Sequence, residues 1–238
     1  MSRILGVALA VLATLAALAT VAYLIGFLAD LPLLPKTVDR PSGMGPAGAA
    51  AVDMGLVALF GVQHSLMARV GFQRWIRPEL RRALYLLASC MALSVLMAGW
   101  QPLPALLWHV EAPTPRALLW GLFGFGWLLG ATCLLLMNPA ELFGFAQLAR
   151  PREPVPARLR SPLFYKRIRH PLYLGFLFCF WSTPQMSVGH ALFAAGMSAY
   201  ILVGIVYEER DLVRRFGDTY LEYRRRTGKL LPRLGKGA

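Results

Sequence analysis

Cysteine is scarce in this chain, with Cys90, Cys133 and Cys179 the only three among 238 residues. Each falls in a different apolar stretch, their number is odd, and no pair has metal-ligand spacing. That argues against a disulfide framework or a zinc site and leaves buried apolar thiols. Acidic residues are also few, 12 Asp+Glu against 25 Lys+Arg, for a formal net charge of +13. The chain has no internal repeat, no low-complexity tract beyond its Ala/Leu-rich beginning, and no stretch that reads as a soluble domain. No strand is predicted ahead of the series Gly121, Gly124, Gly126 and Gly130, so these glycines read as helix-packing positions rather than a phosphate-cradling loop.

Apolar residues dominate instead. The chain is 57% hydrophobic with a mean hydropathy of +0.52, against about 45–50% apolar content for a soluble domain. Stretches 4–29, 48–68, 83–100 and 117–137, and the double segment 171–207, are long or apolar enough to cross a hydrocarbon core of about 30 Å. Pro184 and the polar patch from Ser182 to Ser187 divide the last into a short first arm and a full-length second arm. The expected fold is all-α: a polytopic membrane bundle of five to six segments, the last two forming a hairpin, in a single unit over 1–238. The first stretch exceeds the about 7–15 apolar residues of a cleavable signal and carries Tyr23, Ile25 and Phe27 near its end, so it reads as a retained helix.

The basic surplus is unevenly placed. With both termini inside, Arg3, the 69–82 loop, the 150–169 loop and the tail from Arg210 hold 22 of the 25 Lys+Arg, leaving Lys36, Arg40 and Arg116 outside. This is the positive-inside pattern. It explains the charge through topology and attraction to anionic lipid, with no nucleic-acid partner required. Outside, 31–48 is a Pro/Gly-rich loop with little material for a packed unit, and Trp100, Trp108 and Trp120 read as interfacial anchors. Inside, the 138–170 segment carries five prolines and seven basic residues, and a segment of such length without evident structure is either functional or disordered. After Tyr207 the chain reads as an amphipathic cytoplasmic helix that breaks near Gly217 and restarts at an Asp218 cap.

The chemistry-bearing residues crowd the inner feet of the final hairpin, where ionisable groups at a membrane boundary are costly unless paired or used. Pro171 suits the first position of a helix, which puts Arg169 and His170 just ahead of an anion-attracting N-terminus. Glu208 and Glu209 stand at the end of the second arm, where the helix dipole disfavours them. Arg210, Arg214 and Arg215 are the nearest compensation. Tyr220 and Tyr223, three apart on one helical face, offer either a stacking surface or an interfacial belt. In the second helix His64 is followed by Ser65 and a basic exit at Arg69. Asp53, eleven residues earlier, shares roughly its face or marks the helix entrance.

The order Arg169-His170-Pro171-Leu172-Tyr173-Leu174-Gly175, apolar hairpin, Glu208-Glu209-Arg210-Asp211-Leu212, Phe216-Gly217-Asp218-Thr219-Tyr220-Leu221-Glu222-Tyr223, then Leu230-Leu231-Pro232 resembles the membrane methyltransferases typified by isoprenylcysteine carboxyl methyltransferase. It is closer to the methanethiol S-methyltransferases of the nurim-like family, because Gln63-His64-Ser65-Leu66-Met67-Ala68-Arg69 resembles their QHSxMAR stretch. Residues 138–147 parallel the family pattern NHFDLFGLRQ, with Leu142, Phe143, Gly144 and Gln147 matching. Pro139, Glu141 and Ala146 replace its His, Asp and Arg.

The resemblance implies S-adenosylmethionine-dependent methylation of a small thiol, methanethiol to dimethyl sulfide, without a metal; the expected location is a bacterial inner membrane, and the charge asymmetry puts both termini in the cytoplasm. The implied cofactor cassette spans about 138–233. Its binding residues would be Arg169, His170, Pro171, Tyr173, Glu208, Glu209, Tyr220 and Tyr223, with His64, Ser65 and Glu141 facing the thiol and His64 and Glu209 catalytic. Methylation of a larger lipid-phase acceptor, such as an isoprenylcysteine carboxylate, and a non-enzymatic nurim-like role are the alternatives.

Overall fold

The computed structural model describes residues 3–40, 43–149 and 161–233. The middle of the basic loop, 150–160, lies outside them, as does the end of the tail. The helices are α1 (Arg3–Leu28), α2 (Pro46–Ala68), the short α3 (Val70–Gln73), α4 (Arg81–Gly99), α5 (Pro113–Leu136), the short α6 (Pro139–Leu142) and α7 (Phe145–Ala149), α8 (Pro171–Trp181), α9 (Val188–Phe216) and α10 (Asp218–Arg226). Two short strands, β1 (Leu106–His109) and β2 (Gln185–Ser187), pair antiparallel. Helices α1, α2, α4, α5 and α9 are long and apolar enough to cross a membrane. The protein is a multi-pass helical membrane protein.

Helix α8 has 11 residues, about 16 Å at 1.5 Å per residue, roughly half of a hydrocarbon core. Its end is tied to the middle of α9 by Trp181 Nε1 donating to Ser198 Oγ at 3.0 Å. The extended segment 182–187 continues alongside α9. Such backbone is tolerated at membrane depth only where protein satisfies its polar groups, and here the β1 region does so. Trp108 Nε1 donates to the Thr183 carbonyl at 3.1 Å and Val110 N to the Pro184 carbonyl at 2.9 Å. The strands escape a sequence reading because their three and four residues lie inside or beside longer apolar runs.

Small residues let α8 meet α5. An ideal Cβ on Gly126 would sit 2.5 Å from the Gly175 carbonyl oxygen, and one on Gly175 would sit 2.7 Å from that of Gly126 and 3.2 Å from Gly130 N. Only glycine allows this approach in lipid. Of the expected packing series, Gly126 and Gly130 face α8, whereas a Cβ at Gly121 or Gly124 would meet nothing.

Two expectations about the end of the bundle away from α10 need correction. Trp100 is fully buried rather than interfacial, edge-on to Phe27 and Phe193 at 6.5 and 5.4 Å between ring centroids. The loop after α1 is packed: Thr37 and Val38 are fully buried, Val38 N donates to the Phe27 carbonyl, and Arg40 pairs with Asp30 at 3.0 Å. Polar side chains that satisfy the loop backbone, such as Tyr23 donating to the Lys36 carbonyl at 2.9 Å, make burial possible despite the loop's Pro/Gly content. Asp53 belongs to this same half. It accepts from Gln101 N at 2.7 Å and is not a partner of His64.

At its C-terminal end α9 does not stop at Tyr207 but runs on to Phe216. Glu208 and Glu209 therefore lie inside a continuous helix, two turns before its end, and the expected dipole penalty falls away because that effect is confined to the last turn. The break is carried by Gly217 at φ 52°, ψ −130°, and Asp218 follows as the first residue of α10 without a side-chain capping bond. Asp218 is thus not the cap. The positive φ favours glycine.

Candidate active site

The chain turns back on itself after α10. Ile168 bridges Gly228, with Arg169 N donating to the Gly228 carbonyl at 2.9 Å, His170 N to that of Lys229 at 3.1 Å, and Gly228 N to that of Arg167 at 3.0 Å. This places α10 over the feet of α8 and α9. Arg169 and His170 are buried, and Glu209 is 9% exposed.

Arg169 is the clamp of this junction. Its Nε donates to Glu209 Oε1 at 2.8 Å, and Nη1 donates to the carbonyls of Arg224 and Thr227. Glu209 Oε1 also accepts from His170 Nε2 at 3.2 Å. A carboxylate only accepts, so this bond places a proton on Nε2 and leaves Nδ1 turned toward Glu208, 3.8 Å from its Oε2. The compensation expected from Arg210, Arg214 and Arg215 comes instead from a residue forty positions earlier.

Around this clamp Tyr173 stacks on His170 with centroids 5.5 Å apart and donates to Glu208 Oε2 at 2.9 Å. Glu208 is the more open carboxylate, its side chain 43% exposed against 12% for Glu209. Tyr223 donates to the Tyr165 carbonyl at 2.6 Å, and Tyr220 lies 5.8 Å from Tyr223, ring to ring. Tyr220 is 1% exposed, so it does not belong to an interfacial belt. Its buried hydroxyl has no partner among the described residues.

Burial holds the His170 imidazole below its ordinary range, with Arg169 adding to the effect and Glu208 and Glu209 opposing it. Near neutral pH it is an uncharged ring bonded to Glu209. Burial, reinforced by the Glu209 charge, pushes the Tyr220 hydroxyl up to about 12. It therefore keeps its proton as a donor.

The second expected group lies on α2. His64 Nδ1 meets Ser89 Oγ at 3.0 Å and its Nε2 meets the Tyr85 hydroxyl at 2.6 Å, both partners on α4. Phe60 stacks on its ring at 5.3 Å and Tyr200 of α9 stands edge-on at 6.2 Å. Ser65 lies against the Tyr200 hydroxyl. Tyr85 and Tyr200 in turn are within electrostatic range of the Tyr173 hydroxyl. Polar side chains of α2, α4 and α9 thus gather as a strip around His64, within electrostatic range of the Tyr173 and Glu208 pair.

Glu141 bonds within its own turn, accepting from Asn138 Nδ2 at 2.9 Å. What that turn gives to the strip is backbone: the Leu142 carbonyl accepts from Arg82 Nε at 2.6 Å, and the guanidinium lies 5.5 Å from the centroid of the Tyr85 ring. Arg82, Tyr85, Ser89 and Tyr200 were missed from the sequence. The spacing of the first three, at i, i+3 and i+7 on one face of α4, was the available signal. Among the described residues no three His, Cys, Asp or Glu side chains gather as a metal site.

The chain is 45% identical to the methanethiol S-methyltransferase of Pseudomonas deceptionensis over 84% of its own length and 79% of that protein's. It is 41% identical to the Mycobacterium tuberculosis methanethiol S-methyltransferase, covering 88% of each chain. Xenopus laevis nurim is 32% identical over 63% of this chain and 58% of its own. No family model matches the chain, and no solved structure matches it. The chain belongs to the methanethiol S-methyltransferase family.

Proposed function

We propose that this protein transfers a methyl group from S-adenosylmethionine to methanethiol, releasing dimethyl sulfide, in a bacterial inner membrane with both termini cytoplasmic. The observation that carries the reaction is the identity of 45% to a methanethiol S-methyltransferase across 84% of the chain.

The inner junction fits the donor chemically. Tyr220 offers an orphaned buried hydroxyl and Glu208 a half-open carboxylate, while α8 begins at Pro171 with no side-chain cap. A carboxylate suits the uncapped helix start, and Glu208 suits ribose hydroxyls or an ammonium group. Arg169, His170 and Glu209 support these groups by bonding to one another and to the tail, and Tyr173 orients Glu208. Tyr223 fixes α10 to the segment before α8. On this reading the cofactor cassette is about 138–233, and Glu209 positions the site rather than touching the reacting atoms.

When bound, the donor supplies a methyl electrophile on a sulfonium, so no metal is needed to activate a leaving group. What the chain must do is hold a sulfur nucleophile in line and manage its proton. The strip of His64, Ser65, Tyr85 and Tyr200 is the thiol side, and Glu141 belongs to the turn that braces it through Arg82. Thiolate is the nucleophilic form, and Arg82 provides the nearby cation.

The test is a titration of the detergent-purified protein with S-adenosylhomocysteine, followed by turnover with a panel of acceptors. Binding that weakens at least tenfold in Tyr220→Phe or Glu208→Gln, with short thiols methylated and a prenylated cysteine untouched, supports the reading. Undiminished binding in both variants moves the donor site elsewhere. Methylation of the prenylated cysteine alone replaces the acceptor.

A further inference from the structure

The hydrogen-bond directions around His64 carry more than its identity as a thiol-side residue. Ser89 Oγ donates its only proton to the Tyr85 carbonyl, four residues back, at 2.8 Å. Toward His64 it can therefore only accept, which puts a proton on Nδ1 of the imidazole and leaves Nε2 as a lone pair. The Tyr85 hydroxyl, 2.6 Å from Nε2, must then be the donor. Both ring nitrogens of His64 are occupied, Phe60 stacks on its ring and Tyr200 stands edge-on to it. No nitrogen is left for a substrate. The Tyr85 oxygen, by contrast, has acceptor capacity beyond its contact with Ser89, and Tyr85 lies within electrostatic range of the Tyr173 hydroxyl that donates to Glu208.

We infer that Tyr85 is the residue that takes the proton of the thiol, relaying its own to His64, and that Ser89 is the positioning residue that fixes the His64 tautomer. This deepens the thiol-methyltransferase reading and rests on it. As the thiol S–H bond breaks, its proton goes to Tyr85 Oη while the Tyr85 proton goes to His64 Nε2. The sulfur keeps the S–H electron pair and uses it to form the new bond to the methyl carbon. The pair of the broken sulfonium bond stays on the donor's sulfur. The proton on His64 returns through Tyr85 to water after the thioether leaves.

The charged and titratable groups facing the pair are Arg82 from α4, Tyr200 from α9 and Tyr173 from α8. Arg82 is held against the Tyr85 ring by the Leu142 carbonyl. It offsets the negative charge that appears on Tyr85 if its proton moves first.

The measurement pairs Tyr85→Phe with a spectroscopic reading of His64. Tyr85→Phe removes one oxygen, and retained S-adenosylhomocysteine affinity certifies its fold. It should lower methanethiol turnover at neutral pH by about a hundredfold or more, the range of proton-transfer catalysis. The deficit should narrow about tenfold per pH unit as solvent supplies thiolate, and it should be small for the more acidic 2,2,2-trifluoroethanethiol. A merely structural role would depress every pH and every thiol alike. In protein labelled with ¹⁵N-histidine, the signal lost in His64→Gln should report the Nδ1-protonated tautomer, and Ser89→Ala should mix the tautomers.

Neutral-pH turnover in Tyr85→Phe equal to that of the unaltered protein overturns the relay alone, as does a His64 tautomer protonated on Nε2. The tautomer reading decides the matter if Tyr85→Phe does not fold. An unaltered protein that binds the donor but methylates no thiol overturns instead the reading on which the relay rests.

Discussion

Arg169 is the residue on which the inner junction most depends. Its side chain is 7% exposed and that of Glu209 12%, and the guanidinium spans three segments through Glu209 and the carbonyls of Arg224 and Thr227. Arg169→Met keeps most of the volume but strands the Glu209 carboxylate with only a neutral His170. Breaking a buried pair from one side costs about 3–5 kcal/mol. At about 2–4 °C per kcal/mol for a chain of this size, the melting temperature in detergent should fall by roughly 6–20 °C. Glu209→Gln keeps an acceptor oxygen and should cost less, about 1.5–3 kcal/mol for a hydrogen bond to a charged group. Because the partners share one contact, Arg169→Met with Glu209→Met should be less destabilised than the two changes summed. The assay is thermal unfolding of the purified variants, read by scanning fluorimetry. A loss below about 1 kcal/mol for Arg169→Met, typical of an exposed ion pair, refutes the clamp.

Reporter fusions at Gly45 and Thr114 should read external, and one at Gly71 internal; the reverse pattern would separate the basic segments from the cytoplasm and overturn the assigned orientation. Gly175→Ala should destabilise by about 1–3 kcal/mol, as overpacking does, because its Cβ would press on the Gly126 carbonyl at 2.7 Å. Gly124→Ala, with open space around it, should be neutral in the same melt. For His170 the folded pKa is lowered, so folding binds fewer protons than unfolding and the neutral ring's contribution is present above about pH 6.5. The difference in melting temperature between the unaltered protein and His170→Gln should shrink as pH falls through that value, and a difference that grows in acid contradicts the assignment.

The spans were legible because hydropathy and the placement of Lys and Arg are properties of single segments. The short helix α8 was legible for the same reason, since Pro184 and its polar neighbours interrupt one apolar run. Arg169, His170 and the Glu208-Glu209 pair were legible as charges too costly to be idle at a membrane boundary. Their division of labour was not. Which carboxylate is clamped and which stays open depends on the return of residues 227–229 to the foot of α8, a pairing across some sixty positions.

The same limit hid the strip beside His64. Tyr85 and Tyr200 each read as an ordinary aromatic in an apolar helix, and Arg82 as one more basic flank. Only the packing of α2, α4 and α9 brings their polar atoms together. The residues at Pro139 and Ala146 looked like losses from the family pattern. The turn nonetheless keeps a role through its Leu142 carbonyl, an atom that every residue type supplies.

The most direct test of the account is the fate of a labelled methyl group. Purified protein given methanethiol and S-adenosylmethionine carrying a trideuterated methyl group should release dimethyl sulfide three mass units heavier than the unlabelled compound, read in the headspace by mass spectrometry, with S-adenosylhomocysteine formed in equal amount. A protein that binds S-adenosylhomocysteine yet releases no labelled dimethyl sulfide contradicts the claim that this site methylates a small thiol.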